Sequence, residues 1–362
     1  MPNETTVYQC PACTGPLRFD GPSGKLQCDY CGNNYDTATL EALMADKERA
    51  AAGAETPAWR TEAAGSPWSE AELKGLRVYN CTACGAELIC DATTAATSCA
   101  YCNNPTVVPG MLSGGLKPDL VIPFKLDRKA AVEALTKHYK GKRFLPKEFM
   151  ANNHIEDVKG IYAPFWLFDC RAEADVCYRA TKAHSYTQRD EEVTVTEHYR
   201  LVRGGQVDFQ KIPVDGSKKM PDAHMDAIEP FDYRELRAFS TGYLPGFFAD
   251  KYDVGAAESA QRANARISKS VEEAFAATTS GYGGRTTEYA NIRLAQGQVS
   301  YALLPVWMLN TRWRDQTFTF AMNGQTGKLI GDLPVSKGRA LAWFAGIAVP
   351  LAVIVGVIVT FL

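Results

Sequence analysis

The pattern of apolar and polar positions divides the chain into a helix-bearing front, a strand-rich middle and an apolar end. Val132, Leu135 and Tyr139 recur on one face of "RKAAVEALTKHYK", with Asp127 before it as a helix cap. Ile267, Val271 and Phe275 recur every four residues in "VGAAESAQRANARISKSVEEAF", with Asp253 as the expected cap. Leu40, Leu43 and Met44 predict a helix from Asp36 or Thr37 to Gly53. A linker, "AETPAWRTEAAGSPW", follows, then a short helix from Ser69 with Glu72 completing a capping box.

The middle region repeats. "APFWLFDCR" (163–171) matches "LPVWMLNTR" (304–312), each an apolar strand predicted to turn into a second one, "ADVCYRA" or "QTFTFAM", at Ala172–Glu173 and Trp313–Asp315. With a helix ahead of each, this predicts two helix-plus-hairpin units sharing a sheet about a pseudo-twofold. Val193, Val195, Tyr199 and Val202 alternate with polar residues, Gly204–Gly205 reads as a hairpin turn, and Asn323–Gly324 as a type I′ turn. The last segment, Ala342–Leu362, has no charged residue and is long enough to span a bilayer; a core helix is the competing reading. Trp343 and Phe344 stand at interfacial level. Lys337 and Arg339 precede the span, so the positive-inside tendency keeps the N-terminal bulk in the cytosol. No signal peptide is expected from "MPNETTVYQC".

That compartment bears on the 11 cysteines, because a reducing cytosol disfavours disulfides. Cys10, Cys13, Cys28 and Cys31 form one pair of Cys-x-x-Cys knuckles; Cys81, Cys84, Cys99 and Cys102 form a second with the same internal spacing. The register extends to Tyr8/Tyr79, Leu17/Leu88 and Tyr30/Tyr101, as in a duplicated unit. Two knuckles joined by a hairpin make the four-sulfur tetrahedron that Zn2+ accepts, so two closed, structural zinc ribbons are predicted. Iron with the same ligands is the alternative metal. A thioredoxin-like role lacks its βαβ context. Cys90 reads as buried filler.

Residues 1–110 carry seven Lys/Arg against thirteen Asp/Glu, and zinc-bound thiolates add negative charge. Phosphate contacts need clustered Lys/Arg, so nucleic-acid binding is the weaker alternative and protein recognition the stronger. No catalytic constellation is legible. His138, His154, His184, His198 and His224 are scattered and read as surface residues; "GYGGRTTEY" lacks the ending of a phosphate loop and reads as a flexible connection. Cys170 and Cys177 are expected to face one another across a hairpin without a thiol role, and Trp166 and Trp307 to lie in the core.

The expected architecture is α+β: a zinc ribbon (1–36), a helix and linker (37–76), a second ribbon (77–110), a duplicated α+β domain (111–336) and a transmembrane helix (342–362). In "YNCTACGAEL", "AATSCAYCNN", "KPDLVIPFKLDRKAA", "GIYAPFWLFD" and "LLPVWMLN…FTFAMNGQTGKLIGDLPVSK" the chain resembles the bacterial membrane-anchored, transcription-factor-IIB-type zinc-ribbon proteins. The name primosomal helicase is often attached to them, but no Walker loop stands in this sequence. The resemblance implies a non-enzymatic, tail-anchored scaffold at the inner face of the cytoplasmic membrane. Its implied partners are phage-shock-protein-A-type (ESCRT-III-like) coat proteins and SPFH-domain proteins of envelope stress.

Overall fold

A computed structural model describes residues 10–11, 15–42, 59–94, 98–105, 107–110, 115–146, 148–149, 155–189, 191–314 and 316–361. In chain order the strands are β1 (Leu17–Asp20), β2 (Lys25–Cys28), β3 (Asn34–Tyr35), β4 (Leu76–Cys81), β5 (Glu87–Asp91), β6 (Val107–Gly110) and β7 (Leu120–Val121). Then come β8 (Lys159–Gln188), β9 (Glu191–Asp215), β10 (Arg237–Ala238), β11 (Phe248–Asp250), β12 (Gly283–Trp313), β13 (Gln316–Asn323) and β14 (Leu329–Gly331). The helices are α1 (Glu70–Lys74), α2 (Arg128–Tyr139), α3 (Asp222–Ala227), α4 (Ala256–Ala277) and α5 (Lys337–Phe361). The fold is mixed α+β.

Two compact units divide the chain: one of Met1–Arg60, Phe168–Ile212 and Ala260–Gln298, the other of Thr61–Leu167, Pro213–Ser259 and Val299–Leu362. In the first unit, β1, β2 and β3 form a separate three-stranded sheet. A helical turn over 37–42 follows it and buries Leu40; the rest of that expected helix lies outside the described residues. The longer strands of this unit turn alternate residues, Cys170, Ala172, Ala174, Val176 and Tyr178, toward Ile267, Val271 and Phe275 of α4. The opposite face is polar and paired: Arg171 with Asp208 at 2.7 Å, Lys211 with Asp169 at 2.6 Å, and Glu288 with Arg179 at 2.8 Å and Arg200 at 3.1 Å.

In the second unit the strand order is β10-β7-β12-β8-β11-β5-β4-β6, with β13 and β14 continuing from β12. Its core includes Leu88, Ile122, Ile161, Phe165, Leu167, Leu304 and Met308. α2 covers another part, Leu135 and Tyr139 packing with Trp307, Phe318 and Phe320. Its cap is the expected one, since the Asp127 carboxylate accepts the Ala130 N–H at 2.8 Å. The Ser69–Glu72 capping box also forms at α1. Trp166 and Trp307 are buried, their indole N–H groups donating to Val254 O at 2.8 Å and Leu126 O at 3.0 Å.

The structure corrects the expectation of two small ribbons and a duplicated helix-plus-hairpin domain. With β9, the strands β4 to β14 make one 11-stranded sheet, and the second ribbon is part of it through the pairing of β5 with β11. The predicted turn at Ala172–Glu173 is absent because Ala172 is fully buried in an unbroken β8. Gly204–Gly205 lies inside β9; a Cβ on Gly204 would stand 2.8 Å from Asp175 Oδ1, so the glycine admits the neighbouring side chain rather than making a turn. "GYGGRTTEY" becomes strand from Gly283 onward. Asn323–Gly324 opens a longer connection to β14, Gly327 N–H closing on Asn323 O at 2.9 Å. α4 begins at Ala256, and Asp253 accepts the Lys218 N–H at 2.7 Å instead of capping the helix. A twofold echo survives in the pairing: β7 runs parallel to β12 through Leu120↔Ala302, and β11 parallel to β8 through Phe248↔Ile161.

α5 is long and apolar enough to cross a membrane over Lys337–Thr360. Its 24 residues extend about 36 Å at the rise of an α-helix, and its side chains lie outside the protein core. Pro350 lies within it.

Candidate metal centres

Four thiols converge in the second unit. Cys81 ends β4, Cys84 follows in the same knuckle, and Cys99 and Cys102 form the opposing one. Their sulfur atoms all lie within 4.8 Å of one another, Cys81–Cys102 at 3.5 Å and Cys84–Cys99 at 3.6 Å. Sulfurs bound at ~2.3 Å to a tetrahedral ion stand about 3.8 Å apart, so this group could hold a metal ion; a disulfide would bring two of them to about 2.05 Å. Each knuckle closes on its own backbone. Cys81 N–H donates to Ala86 O at 2.9 Å and Gly85 N–H to Cys81 O at 3.0 Å, the latter at a φ of +71° that suits glycine. In the other, Cys99 N–H donates to Asn104 O at 2.8 Å and Asn103 N–H to Cys99 O at 3.0 Å.

The thiols of the cluster do not ionise equally. Burial opposes ionisation of Cys81, but the amide N–H groups of Cys84 and Ala83 and the Cys102 thiol outweigh it and bring the thiol down to about 7. Burial pushes Cys99 up to about 11, and the neighbouring Cys102 charge adds to it. Cys84 is raised for the same reasons, burial first and then the Cys99 charge. Holding all four as thiolates therefore calls for a positive ion between them.

Three strands moor the 98–102 knuckle. From β8, Lys159 Nζ donates to the Ser98 carbonyl at 3.1 Å, the Ser98 hydroxyl and the Cys99 carbonyl at 3.4 Å. From β12, Asn310 Nδ2 donates to Ala100 O at 3.2 Å. From β11, Asp250 accepts the Tyr101 hydroxyl at 2.6 Å, the Ser217 hydroxyl at 2.9 Å and Lys219 Nζ at 2.8 Å. Tyr101 and Asp250 are both buried, so each of these bonds offsets a desolvation cost. The sequence offered one sign of this mooring, a polar Asn310 closing the apolar run 301–309 of β12; Lys159, Ser217, Lys219 and Asp250 carried none.

The first cluster brings together Cys10, Cys28 and Cys31, with Cys10–Cys31 at 3.5 Å, and these three could also hold a metal ion. Cys13 lies outside the described residues. Cys28 ends β2, and the Cys10 sulfur is 3.6 Å from the Tyr35 hydroxyl. Its register partner to Tyr101 behaves differently: Tyr30 is 78% exposed where Tyr101 is 7%. Phe19 on the same small sheet is 59% exposed.

The other expected candidates separate. Cys90 is buried, its thiol reaching the Thr94 carbonyl at 3.5 Å, and burial pushes it up to about 11. Cys170 and Cys177 do not face one another: Cys170 packs toward α4, whereas Cys177 donates to Glu288 at 3.4 Å. Among the described residues no histidine joins a group of three or more metal-ligating side chains. His224, expected at the surface, is buried, its Nε2 3.2 Å from Asp332; His154 lies outside the described residues.

No protein-family model matches the chain. No solved structure matches it. "Uncharacterized protein YdjG" of Bacillus subtilis (strain 168) is 38% identical over 341 residues, covering 94% of this chain and 94% of its own length. At that identity and coverage, the chain belongs to the family of Bacillus subtilis YdjG.

Proposed function

We propose that the protein is a non-enzymatic, membrane-anchored scaffold that binds protein partners at the cytosolic face of the bacterial cytoplasmic membrane. α5 is the anchor, and both cysteine clusters are structural Zn2+ sites, the first completed by Cys13. One observation carries the reading. The four thiols of the second cluster close on one another and are tied to three strands, which leaves no ligand position for a substrate and makes the metal a part of the fold. The first ribbon offers exposed Phe19 and Tyr30, side-chain types that protein interfaces favour. Its sequence has an acidic balance unsuited to phosphate.

The resemblance to membrane-anchored, transcription-factor-IIB-type zinc-ribbon proteins gives the partner class: a phage-shock-protein-A-like coat protein or an SPFH-domain protein. Affinity purification of the full chain from solubilised membranes tests it, beside a Cys81→Ser, Cys84→Ser variant. Recovery of either partner class with the wild-type chain, and its loss with the variant, is expected. Absence of both classes from repeated wild-type preparations counts against the scaffold. Nucleic acid retained with a steep dependence on salt would favour the tether to nucleic acid instead.

A further inference from the structure

We propose that the turn after α2 and the start of α5 form a seat for anionic phospholipid headgroups in the leaflet that α5 enters, an inference that rests on α5 being a membrane span. Residues 140–145 are fastened to the beginning of that helix. Ser336 N–H donates to Phe144 O at 2.8 Å, and Arg339 Nη1 donates to Leu145 O at 2.7 Å. The Arg143 guanidinium lies 4.6 Å from the centre of the Trp343 ring. Tryptophan at the end of a span stands at the headgroup level, so Arg143, held against it, stands there too.

The charge around this turn has one sign. Over residues 133–148 and 336–344 seven Lys/Arg stand against two Glu, a balance that favours lipid phosphate. Lys137, Lys140, Lys142, Arg143 and Lys337 are exposed, and among the described residues none of the five has a carboxylate partner. Gly141, at a φ of +82°, turns the chain sharply after α2, which brings Lys140 and Lys142 to one bend. Phe144, 42% exposed beside them, supplies an apolar body for the interface, as do exposed Leu341 and Phe344 of α5. The cations meet the phosphates and the aromatic rings meet the acyl boundary. Each Lys or Arg held at such a surface multiplies the preference for anionic lipid by roughly fivefold. The seat would also fix which side of the second unit faces the bilayer.

The test uses the full chain in lipid nanodiscs. One set contains phosphatidylcholine alone; in the other, phosphatidylglycerol replaces roughly a third of it. Amide hydrogen exchange of residues 140–146 is expected to slow by at least about threefold in the anionic discs. The difference should vanish in a Lys140→Gln, Lys142→Gln, Arg143→Gln variant and at high salt, where headgroup attraction is screened. Unchanged exchange of residues 161–167 shows that the variant keeps its fold; if it does not, the wild-type comparison between lipids decides alone. Equal exchange in both lipid sets, with the chain inserted, overturns the seat and leaves the anchor standing. Failure of the chain to co-purify with discs overturns the anchor and the seat together.

Discussion

Replacing Tyr101 by Phe removes one hydroxyl and almost no volume. That hydroxyl donates to a buried carboxylate, Asp250, at 2.6 Å, and both groups are shielded from water. Hydrogen bonds to charged groups contribute ~1.5–3 kcal/mol. Asp250 keeps Ser217 and Lys219 as donors, so the loss is that of one bond and not of an orphaned charge. A value of about 2 kcal/mol corresponds to roughly thirtyfold in the opening equilibrium of the 98–102 knuckle. Hydrogen exchange of residues 98–105, in the full chain in detergent, reads that opening. The matched control is Tyr30→Phe at the register-equivalent position, where the ring is exposed. A surface change of that kind stays within about 0.5 kcal/mol, or about twofold. If Tyr101→Phe left the knuckle's exchange unchanged, or if Tyr30→Phe loosened its own knuckle equally, the mooring of the second cluster through Asp250 would be wrong.

Three further outcomes follow from the same geometry. Gly331→Ala would drive a Cβ into the Phe320 ring across the β13–β14 pair, so a cost of ~1–3 kcal/mol should lower the thermal midpoint, and an unchanged midpoint would contradict the packing. Burial pushes the Glu288 carboxyl up, but Arg179, Cys177 and Arg200 outweigh it and hold it below its ordinary 4.5; its contribution is therefore present above pH 4.5 and lost as pH falls through the lower folded value. The midpoint difference between wild type and Glu288→Gln should accordingly be clear at neutral pH and shrink on acidification below 4.5; a difference independent of pH refutes the ion pairs. Phe19→Ser with Tyr30→Ser should cut partner capture by at least about tenfold while leaving metal content intact; undiminished capture would move the docking surface elsewhere.

What could be read along the chain was local chemistry. The Cys-x-x-Cys spacings, the Asp127 cap, the Ser69–Glu72 box and the apolar run of α5 each declare themselves along a short stretch; the four thiols of the second cluster gather, both caps form, and α5 is long and apolar enough to cross a membrane. The long strands did not, since Ala172–Glu173 and Gly204–Gly205 resemble turns until the cross-strand neighbours are known. Ala172 lies in strand, packed with α4, and Gly204 lies in strand beside the Asp175 side chain. Most of the mooring of the second cluster was equally hidden: Lys159 and Asp250 reach the knuckle across 61 and 149 residues. No period or spacing signals a contact at such separations. For the same reason the equal spacing of the two clusters concealed a difference in setting, one in a small sheet of its own and the other built into the 11-stranded sheet.

A scaffold of this kind stands on the closure of its two cysteine clusters. Metal analysis with X-ray absorption on the full chain, purified without chelator, tests it directly. It should give two zinc ions per chain, each with four sulfur neighbours at about 2.3 Å and no lighter ligand. A water or other oxygen ligand at either ion, a redox-active metal, or fewer than two ions per chain would contradict it.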